Sequence, residues 1–77
     1  MTLSQAVGKR IEKLLKERNM TQYQLCKMGG IPRSTISVTI SGKHKTIKLD
    51  TIYQVVATLN ITLEEFFADE LFENIED

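Results

Sequence analysis

Apolar residues recur every three or four positions in two stretches of the chain, which is the spacing that places them on one face of an α-helix. The first set is Leu3, Val7, Ile11, Leu14 and Leu15, and the second is Leu49, Ile52, Val55, Val56 and Leu59. Shorter apolar sets occupy residues 21–28, 32–40 and 62–67. The pattern predicts five short amphipathic helices and requires no strand.

Local signals mark where these helices begin and end. Three Thr residues, each followed three positions later by Gln or Glu, have the capping-box spacing of a helix start: Thr2, Thr21 and Thr62. Residues that tolerate the left-handed conformation follow the first four segments: Asn19, Gly29-Gly30, Gly42 and Asn60. Ile36, Val38 and Ile40 alternate as in a strand, but Pro32 suits a helix start, so we predict a helix there.

The composition is that of an ordinary globular protein, with 42% hydrophobic and 26% charged residues in 77 positions. We therefore expect one domain, residues 1–77. No apolar run approaches the ~18 residues of a membrane span, and the start lacks the apolar stretch of a signal peptide. Cys26 has no partner for a disulfide and suits a reducing compartment. These features predict a cytoplasmic protein with no membrane partner.

The net charge of zero conceals a strong asymmetry along the chain. Residues 1–48 contain ten basic and two acidic residues, a net charge of +8. Residues 49–77 contain eight acidic and no basic residues, a net charge of −8. The simple explanation is that both sets solvate helix surfaces, but the asymmetry also leaves a polyanionic partner possible.

The most informative stretch is TQYQLCKMGGIPRSTISVTISGK, Thr21 to Lys43. It contains two short predicted helices separated only by Gly29, Gly30 and Ile31, so the helices must cross steeply. Such a crossing needs a small residue on the first helix, a turn residue that tolerates positive φ, and a branched apolar residue on the second helix. These requirements predict a helix-turn-helix motif at about residues 21–42 whose structural core is Leu25, Cys26, Gly30, Ile36 and Ile40.

Four segments, in this order and spacing, carry a family resemblance: MTQYQL (20–25), STIS (34–37), SGK (41–43) and LNITLEEFF (59–67). The chain resembles the lambda-repressor and Cro-like (Xre-type) helix-turn-helix regulators over about residues 5–68. The resemblance implies a compact all-α bundle of four to five short helices and a prokaryotic or phage-type protein, associated with the nucleoid when bound to DNA. It also implies that the third helix binds double-stranded DNA in the major groove, as a homodimer on a palindromic operator and most often as a repressor.

One face of the second short helix of this motif is small, polar and free of acidic residues. The residues predicted to point outward and read base edges are Arg33, Ser34, Ser37 and Val38. Arg33 can pair with the O6 and N7 of guanine, the serines can bond to several bases, and Val38 can contact a thymine methyl group. The alternative to a base-reading role for Arg33 is an ordinary solvent-exposed charged side chain.

Phosphate contacts are expected at the edges of this face, because backbone contacts set the register before bases are read. Gln22, beside Thr21, stands at the N-terminus of a predicted helix, where amide donors and the helix dipole favour an anion. The loop that follows the reading helix adds further candidates. The predicted phosphate contacts are Thr21, Gln22, Ser41, Lys43, His44, Lys45 and Thr46, with Lys48 as a further possibility. For His44 alone, an ordinary solvated side chain is the simpler interpretation.

The sequence departs from the family pattern at two places. Many relatives pair an Arg on the first helix with a Glu near the end of the third, and the matching positions here are Leu15 and Ile40. Apolar packing in place of a buried ion pair does not threaten the fold. Thr39 stands where an aliphatic residue is usual, so its hydroxyl needs a hydrogen-bond partner.

After Phe67 the chain is acidic, yet Leu71, Phe72 and Ile75 keep a helical spacing. We expect an acidic C-terminal helical extension at about residues 68–77 whose apolar side chains are covered by the same chain, by a second copy or by a protein partner.

The sequence offers little for catalysis: one His, one Cys and no phosphate-binding glycine loop, so we expect no enzyme, no metal and no cofactor. The alternative to DNA binding is a protein-binding adaptor or antitoxin-like module that uses the acidic apolar tail. Such a module would tolerate acidic residues on the second helix of the helix-turn-helix motif. None occurs from Arg33 to Lys45, which favours DNA binding.

Overall fold

The computed structural model of this chain describes residues 1–76. Helix α1 spans Leu3–Glu17, α2 spans Gln22–Gly29, α3 spans Arg33–Ser41, α4 spans Leu49–Thr58 and α5 spans Leu63–Phe67. A short 3₁₀ helix, η1, follows at Glu70–Phe72. The described residues contain no strand, so the prediction of an all-α bundle is confirmed, including the helix at 33–41.

All three predicted capping boxes form. In each, the Thr hydroxyl accepts a hydrogen bond from the backbone N–H three residues later, and the Gln or Glu side chain accepts one from the Thr N–H. The pairs are Thr2 with Gln5, Thr21 with Gln24, and Thr62 with Glu65. The starts of α1, α2 and α5 are therefore fixed by local chemistry that the sequence encodes directly.

The helix ends also follow the local signals. Asn19, Gly30, Gly42 and Asn60 have positive φ angles of 52°, 64°, 68° and 57°. Gly29 instead forms the last residue of α2, so only the second glycine of that pair makes the left-handed turn. Short polar or glycine side chains tolerate this conformation, which lets the chain reverse direction between helices.

The core receives a fully buried side chain from each of the five α-helices. These side chains are Ile11, Leu25, Ile36, Val55 and Phe66, each with 0% exposed surface. Burying an aliphatic or aromatic side chain of this size contributes about 1.5–3 kcal/mol relative to leaving it in water. All five α-helices therefore depend on one shared core, which holds the helix-turn-helix motif on a rigid base.

Helix α1 passes very close to the end of α3 at Gly8. A Cβ atom at position 8 would lie 2.5 Å from the carbonyl oxygen of Ile40 and 2.9 Å from that of Thr39. Only glycine permits this approach of one backbone to another. The absence of a side chain at position 8 therefore sets how closely α3 is held against α1.

Two apolar residues that the periodicity placed on helix faces are largely exposed. Leu49 is 76% exposed and Leu3 is 44% exposed. Both are the first residues of their helices. Buried positions begin shortly after them, at Ser4 in α1 and at Thr51 in α4, and the core side chains Val7 and Ile52 follow.

Within the described residues, η1 is the only helical segment in the acidic C-terminal extension expected at about residues 68–77; Asp77 lies outside them. The cause is Asp69. Its side chain accepts the N–H of Leu71 at 2.9 Å, which caps η1 and breaks continuity with α5. The same carboxylate lies 3.2 Å from an Nη1 of Arg10 and 2.8 Å from the Nζ of Lys13, so it holds the segment against α1.

Aromatic contacts complete this C-terminal packing. The ring of Phe72 lies 6.1 Å from that of Phe66 and 5.0 Å from that of Phe67, measured between centroids. Leu71, Phe72 and Ile75 are all half-buried. The tail is therefore covered in part by its own chain, which was one of the alternatives that its apolar residues left open.

Arg10 is a buried cation that the periodicity did not identify. Its Nε donates to the Phe66 carbonyl oxygen at 2.7 Å, an Nη2 donates to the Glu65 carbonyl oxygen at 2.9 Å, and Nη1 faces Asp69. The guanidinium thus donates to two carbonyl groups in the last turn of α5, where helix carbonyl groups need partners from outside the helix. A signal was present in the sequence, since Arg10 lies three residues after Val7 and four before Leu14, in line with the apolar face.

Candidate nucleic-acid interface

The turn between α2 and α3 is built from three residues. Gly30 turns the chain in the left-handed conformation, buried Ile31 donates its N–H to the Cys26 carbonyl oxygen at 3.0 Å, and Pro32 precedes α3 with φ −57°. Leu25, Cys26 and Ile36 are buried on either side of the turn, and half-buried Ile40 packs against the same core. These contacts fix the angle between the two helices.

Thr39 and Leu15, two positions where the sequence departs from the family pattern that it resembles, are both accommodated. The Thr39 hydroxyl donates to the Thr35 carbonyl oxygen at 2.7 Å, which supplies the partner that a buried hydroxyl needs. Leu15 is buried in the core that half-buried Ile40 packs against. Helix α3 is therefore held without the ion pair that many relatives use.

The outer face of α3 is open. Arg33, Ser34 and Ser37 are exposed, and Val38 is 41% exposed despite its apolar side chain. Neither serine hydroxyl has a hydrogen-bond partner among residues 1–76, so both remain available to a ligand. No acidic residue occurs between Glu17 and Asp50, which leaves this face without any carboxylate of its own helix or flanking loops.

The loop after α3 lies beside this face. One open groove is lined by Ser34 and Val38 from α3 together with His44, Thr46 and Lys48 from the loop. A second groove joins Ser41, Lys43, His44 and Lys45 to the N-terminal residues of α1. The structure thus brings the C-terminal set of predicted phosphate contacts next to the predicted base-reading face. Thr21, Gln22 and Arg33 line neither groove.

Two hydroxyl groups among the predicted phosphate contacts already have structural roles. The Ser41 hydroxyl donates to the Val38 carbonyl oxygen at 2.6 Å and accepts the Lys43 N–H at 3.3 Å, so it closes the end of α3. The Thr21 hydroxyl accepts the Gln24 N–H at 3.0 Å as the cap of α2. The Thr21 hydroxyl proton remains free to donate, whereas that of Ser41 is already used.

The cations near α3 are unpaired. Among the described residues, no carboxylate lies within ion-pair distance of Arg33, Lys43, Lys45 or Lys48. The basic residues that do pair, Arg10 and Lys13, face Asp69. Gly8 and Arg10 are two residues apart on α1, a rotation of roughly 200°, so α3 and Asp69 lie on opposite sides of α1.

Asp69 is strongly held as an anion. The hydrogen bond from Lys13, reinforced by the backbone N–H of Leu71, lowers the pKa of the Asp69 carboxyl group below its ordinary value. The same hydrogen bond and charge raise the pKa of Lys13. The most tightly bound carboxylate of the tail is therefore neutralised on the side of α1 away from α3.

Sequence reasoning missed Tyr23, whose ring lies beside the predicted base-reading residue Arg33. Tyr23 lies in the first turn of α2, and the Cζ of Arg33 lies 5.4 Å from its ring centroid. The Nζ of Lys27 lies 6.0 Å from the same centroid. The available signal was the position of this aromatic residue directly after the predicted phosphate contacts Thr21 and Gln22.

Two further features are absent from the described residues. No helix among residues 1–76 is long and apolar enough to cross a membrane. The same residues contain no group of three or more His, Cys, Asp or Glu side chains placed to hold a metal ion.

Two short helices joined by a tight turn, with an open, acid-free second helix flanked by unpaired cations, define a helix-turn-helix DNA-binding domain. The chain belongs to the Cro/C1-type HTH DNA-binding domain family, whose profile matches residues 10–71.

A solved structure supports the fold. The chain is similar to the crystal structure of the prophage Lp1 protein 11, with a TM-score of 0.84 and 24% sequence identity over 97% of this chain and 99% of that one. At this identity the likeness concerns the fold alone. A comparison with curated protein sequences finds no match.

Proposed function

We propose that this protein is a transcriptional regulator that binds double-stranded DNA sequence-specifically, with α3 in the major groove. The observation that carries the proposal is the single groove in which Ser34 and Val38 of α3 lie beside His44, Thr46 and Lys48 of the basic loop. Base-reading groups and phosphate-binding groups are required side by side on any surface that reads a duplex. The family membership of the domain supports the same assignment.

Each residue on the exposed face of α3 has a role that its chemistry suits. Arg33 donates to the O6 and N7 of a guanine, Ser34 and Ser37 bond to base edges, and Val38 contacts the methyl group of a thymine. Ser34, Ser37 and Val38 have short side chains, so α3 must approach the floor of the major groove closely for them to contact the bases. The absence of carboxylates on this face permits that approach, because each would repel the phosphates.

The phosphate contacts come from both ends of the motif. The loop after α3 contacts the phosphates of one DNA strand through Lys43, His44, Lys45 and Thr46. At the N-terminus of α2, Gln22 and the Thr21 hydroxyl bind a phosphate. Ser41 contributes to phosphate binding indirectly. Its hydroxyl bonds to the Val38 carbonyl oxygen and to the Lys43 N–H, and so fixes the point where the loop leaves α3.

We further propose a homodimer on a palindromic operator and repression as the regulatory outcome. One helix-turn-helix motif reads only a few base pairs. A two-fold dimer doubles the number of base pairs read and places its two reading helices ~34 Å apart, or at a multiple of that distance. A domain that occupies the major groove also excludes other proteins from the same DNA, which favours repression.

The alternative, a protein-binding adaptor or antitoxin-like module, depends on an available apolar tail. Phe72 packs on Phe66 and Phe67, and Asp69 ties the segment to α1. Much of the apolar tail is therefore occupied within the protomer, which favours DNA binding over this alternative.

Selection of binding sites from random duplex DNA tests the proposal. We expect enrichment of a short inverted repeat, and an affinity whose logarithm falls with the logarithm of salt concentration at a slope of about −0.9 for each phosphate contacted. No enriched sequence, together with weak binding at low salt, would show that the protein is not a sequence-specific regulator.

A further inference from the structure

Tyr23 is the one aromatic side chain with two cations near its ring among the described residues. It is 52% exposed and lies in the first turn of α2. The Cζ of Arg33 is 5.4 Å from the ring centroid, and the Nζ of Lys27 is 6.0 Å from it. Because a cation–π attraction requires a centroid distance within ~6 Å, Arg33 is the closer partner and Lys27 lies at the limit.

The turn of the motif creates this contact. Arg33 is the first residue of α3, and the turn at residues 30–32 brings it beside the first turn of α2. Tyr23, Lys27 and Arg33 line one shallow depression whose floor is formed by Cys26 and Ile31, both buried. The Tyr23 ring therefore lies beside two buried residues of the turn, and the Arg33 guanidinium lies beside the ring.

The contact matters because Arg33 is the only long side chain on the reading face. Ser34, Ser37 and Val38 have few rotamers, whereas an exposed Arg loses much side-chain entropy when it is fixed. A partner that restricts Arg33 before binding lowers that loss on binding. A guanidinium held over an aromatic ring still carries its N–H donors at its edges, where the O6 and N7 of guanine can accept them.

We propose that Tyr23 is a positioning residue that holds Arg33 in place for reading a guanine, and so sets selectivity at one base pair of each half-site. This inference rests on the proposed function. It assigns a specificity role to a residue of α2 that stands outside the reading helix. Tyr23 acts through its ring, and its hydroxyl group is not required.

A double-mutant cycle tests this role. Affinity is measured for the selected duplex and for the same duplex with the guanine pair replaced, using wild type, Tyr23→Leu, Tyr23→Phe, Arg33→Ala and the Tyr23→Leu/Arg33→Ala double variant. Tyr53→Leu is the matched control, because Tyr53 is 62% exposed on α4 and has no cation over its ring among the described residues.

We expect Tyr23→Leu to reduce discrimination at the base pair read by Arg33 by about two- to fivefold, the size of an exposed cation–π contact. Tyr23→Phe and Tyr53→Leu keep the wild-type discrimination. In the Arg33→Ala background, Tyr23→Leu has no further effect on discrimination. A DNA-free measurement supports the same contact: the side-chain δ protons of Arg33 shift upfield by ring current in the NMR spectrum, and Tyr23→Leu removes the shift.

The negative outcomes separate this inference from the proposed function. If wild type discriminates between the two duplexes but Tyr23→Leu discriminates equally well, or if Tyr23→Phe weakens all sequences as a lost phosphate contact would, the positioning role is wrong and the DNA-binding function stands. If wild type binds no duplex selectively, the proposed function fails, and the role of Tyr23 fails with it.

Discussion

At the scale of single residues, the fold divides its cations into two groups with different surroundings. Arg10 and Lys13 are paired with Asp69, and Arg10 is buried against the end of α5. Arg33 and Lys43 have no carboxylate partner among the described residues. Unpaired cations keep their full attraction for an external polyanion, whereas paired ones contribute mainly to stability.

Arg33 and Lys43 are expected to differ in how they affect DNA binding. Arg33→Ala relaxes preference at one base pair per half-site by about 1–3 kcal/mol, because it removes a bidentate base contact. Lys43→Ala weakens all sequences about equally and reduces the salt slope by about one unit, because it removes a phosphate contact. Affinities for the selected duplex and its single-base variants, measured across a salt series, distinguish the two roles. Identical effects of the two substitutions would show that Arg33 does not read a base while Lys43 binds a phosphate.

Asp69 should make stability sensitive to acid. Its pKa is lowered in the folded protein by Lys13 and by the Leu71 N–H, so the carboxylate stabilises the fold above the pKa of the unfolded chain. That stabilisation is lost as the pH falls from about pH 4 through the lowered folded pKa. Urea unfolding as a function of pH measures the loss.

In the Asp69→Asn variant, we expect lower stability at neutral pH and a smaller decrease on acidification. Glu73→Gln is the matched control, because Glu73 is exposed and has no ion pair among the described residues. If Asp69→Asn and Glu73→Gln unfold alike at every pH, Asp69 does not hold the C-terminal segment.

At the scale of secondary-structure elements, the contact between α1 and α3 is the one that places the reading helix. Gly8→Ala puts a methyl group 2.5 Å from the Ile40 carbonyl oxygen, so the two helices must separate. We expect a destabilisation of about 1–3 kcal/mol from overpacking, although alanine favours helices. Lys9→Ala, an exposed change on the same helix, stays within about 0.5 kcal/mol of wild type. Thermal unfolding of both variants measures the difference, and equal stabilities would show that α3 tolerates displacement.

The elements also show which structure can be predicted from sequence and which cannot. Helix starts at Thr2, Thr21 and Thr62 are encoded by residues three positions apart, so local chemistry predicts them. The position of the segment after Phe67 depends on Asp69 meeting Arg10, 59 residues away, and no local pattern contains that information. Periodicity alone therefore did not locate the break between α5 and η1.

The same distinction applies to the candidate site. The exposed face of α3 follows from helical spacing around Ile36 and was predictable, as was the basic loop after it. The contact of Tyr23 with Arg33 was not, because it depends on the angle between α2 and α3. That angle depends on the turn, where the Ile31 N–H donates to the Cys26 carbonyl oxygen, and neither residue type specifies it alone.

At the scale of the whole molecule, α1 separates opposite charges. The acidic segment after α5 contacts the side of α1 that carries Arg10 and Lys13, while α3 contacts the side that carries Gly8. Asp69 is thereby held away from α3. A protein with zero net charge can in this way present a positive surface to a polyanion.

The central claim is that the exposed face of α3 and the loop after it form the DNA-binding surface. Amide chemical shifts of the ¹⁵N-labelled protein, recorded while the selected duplex is added, test it most directly. We predict that the largest shifts fall on residues 33–46, with a smaller group at residues 21–23, and that residues 63–76 change little. Large shifts confined to residues 63–76, with residues 33–46 unmoved, would contradict it.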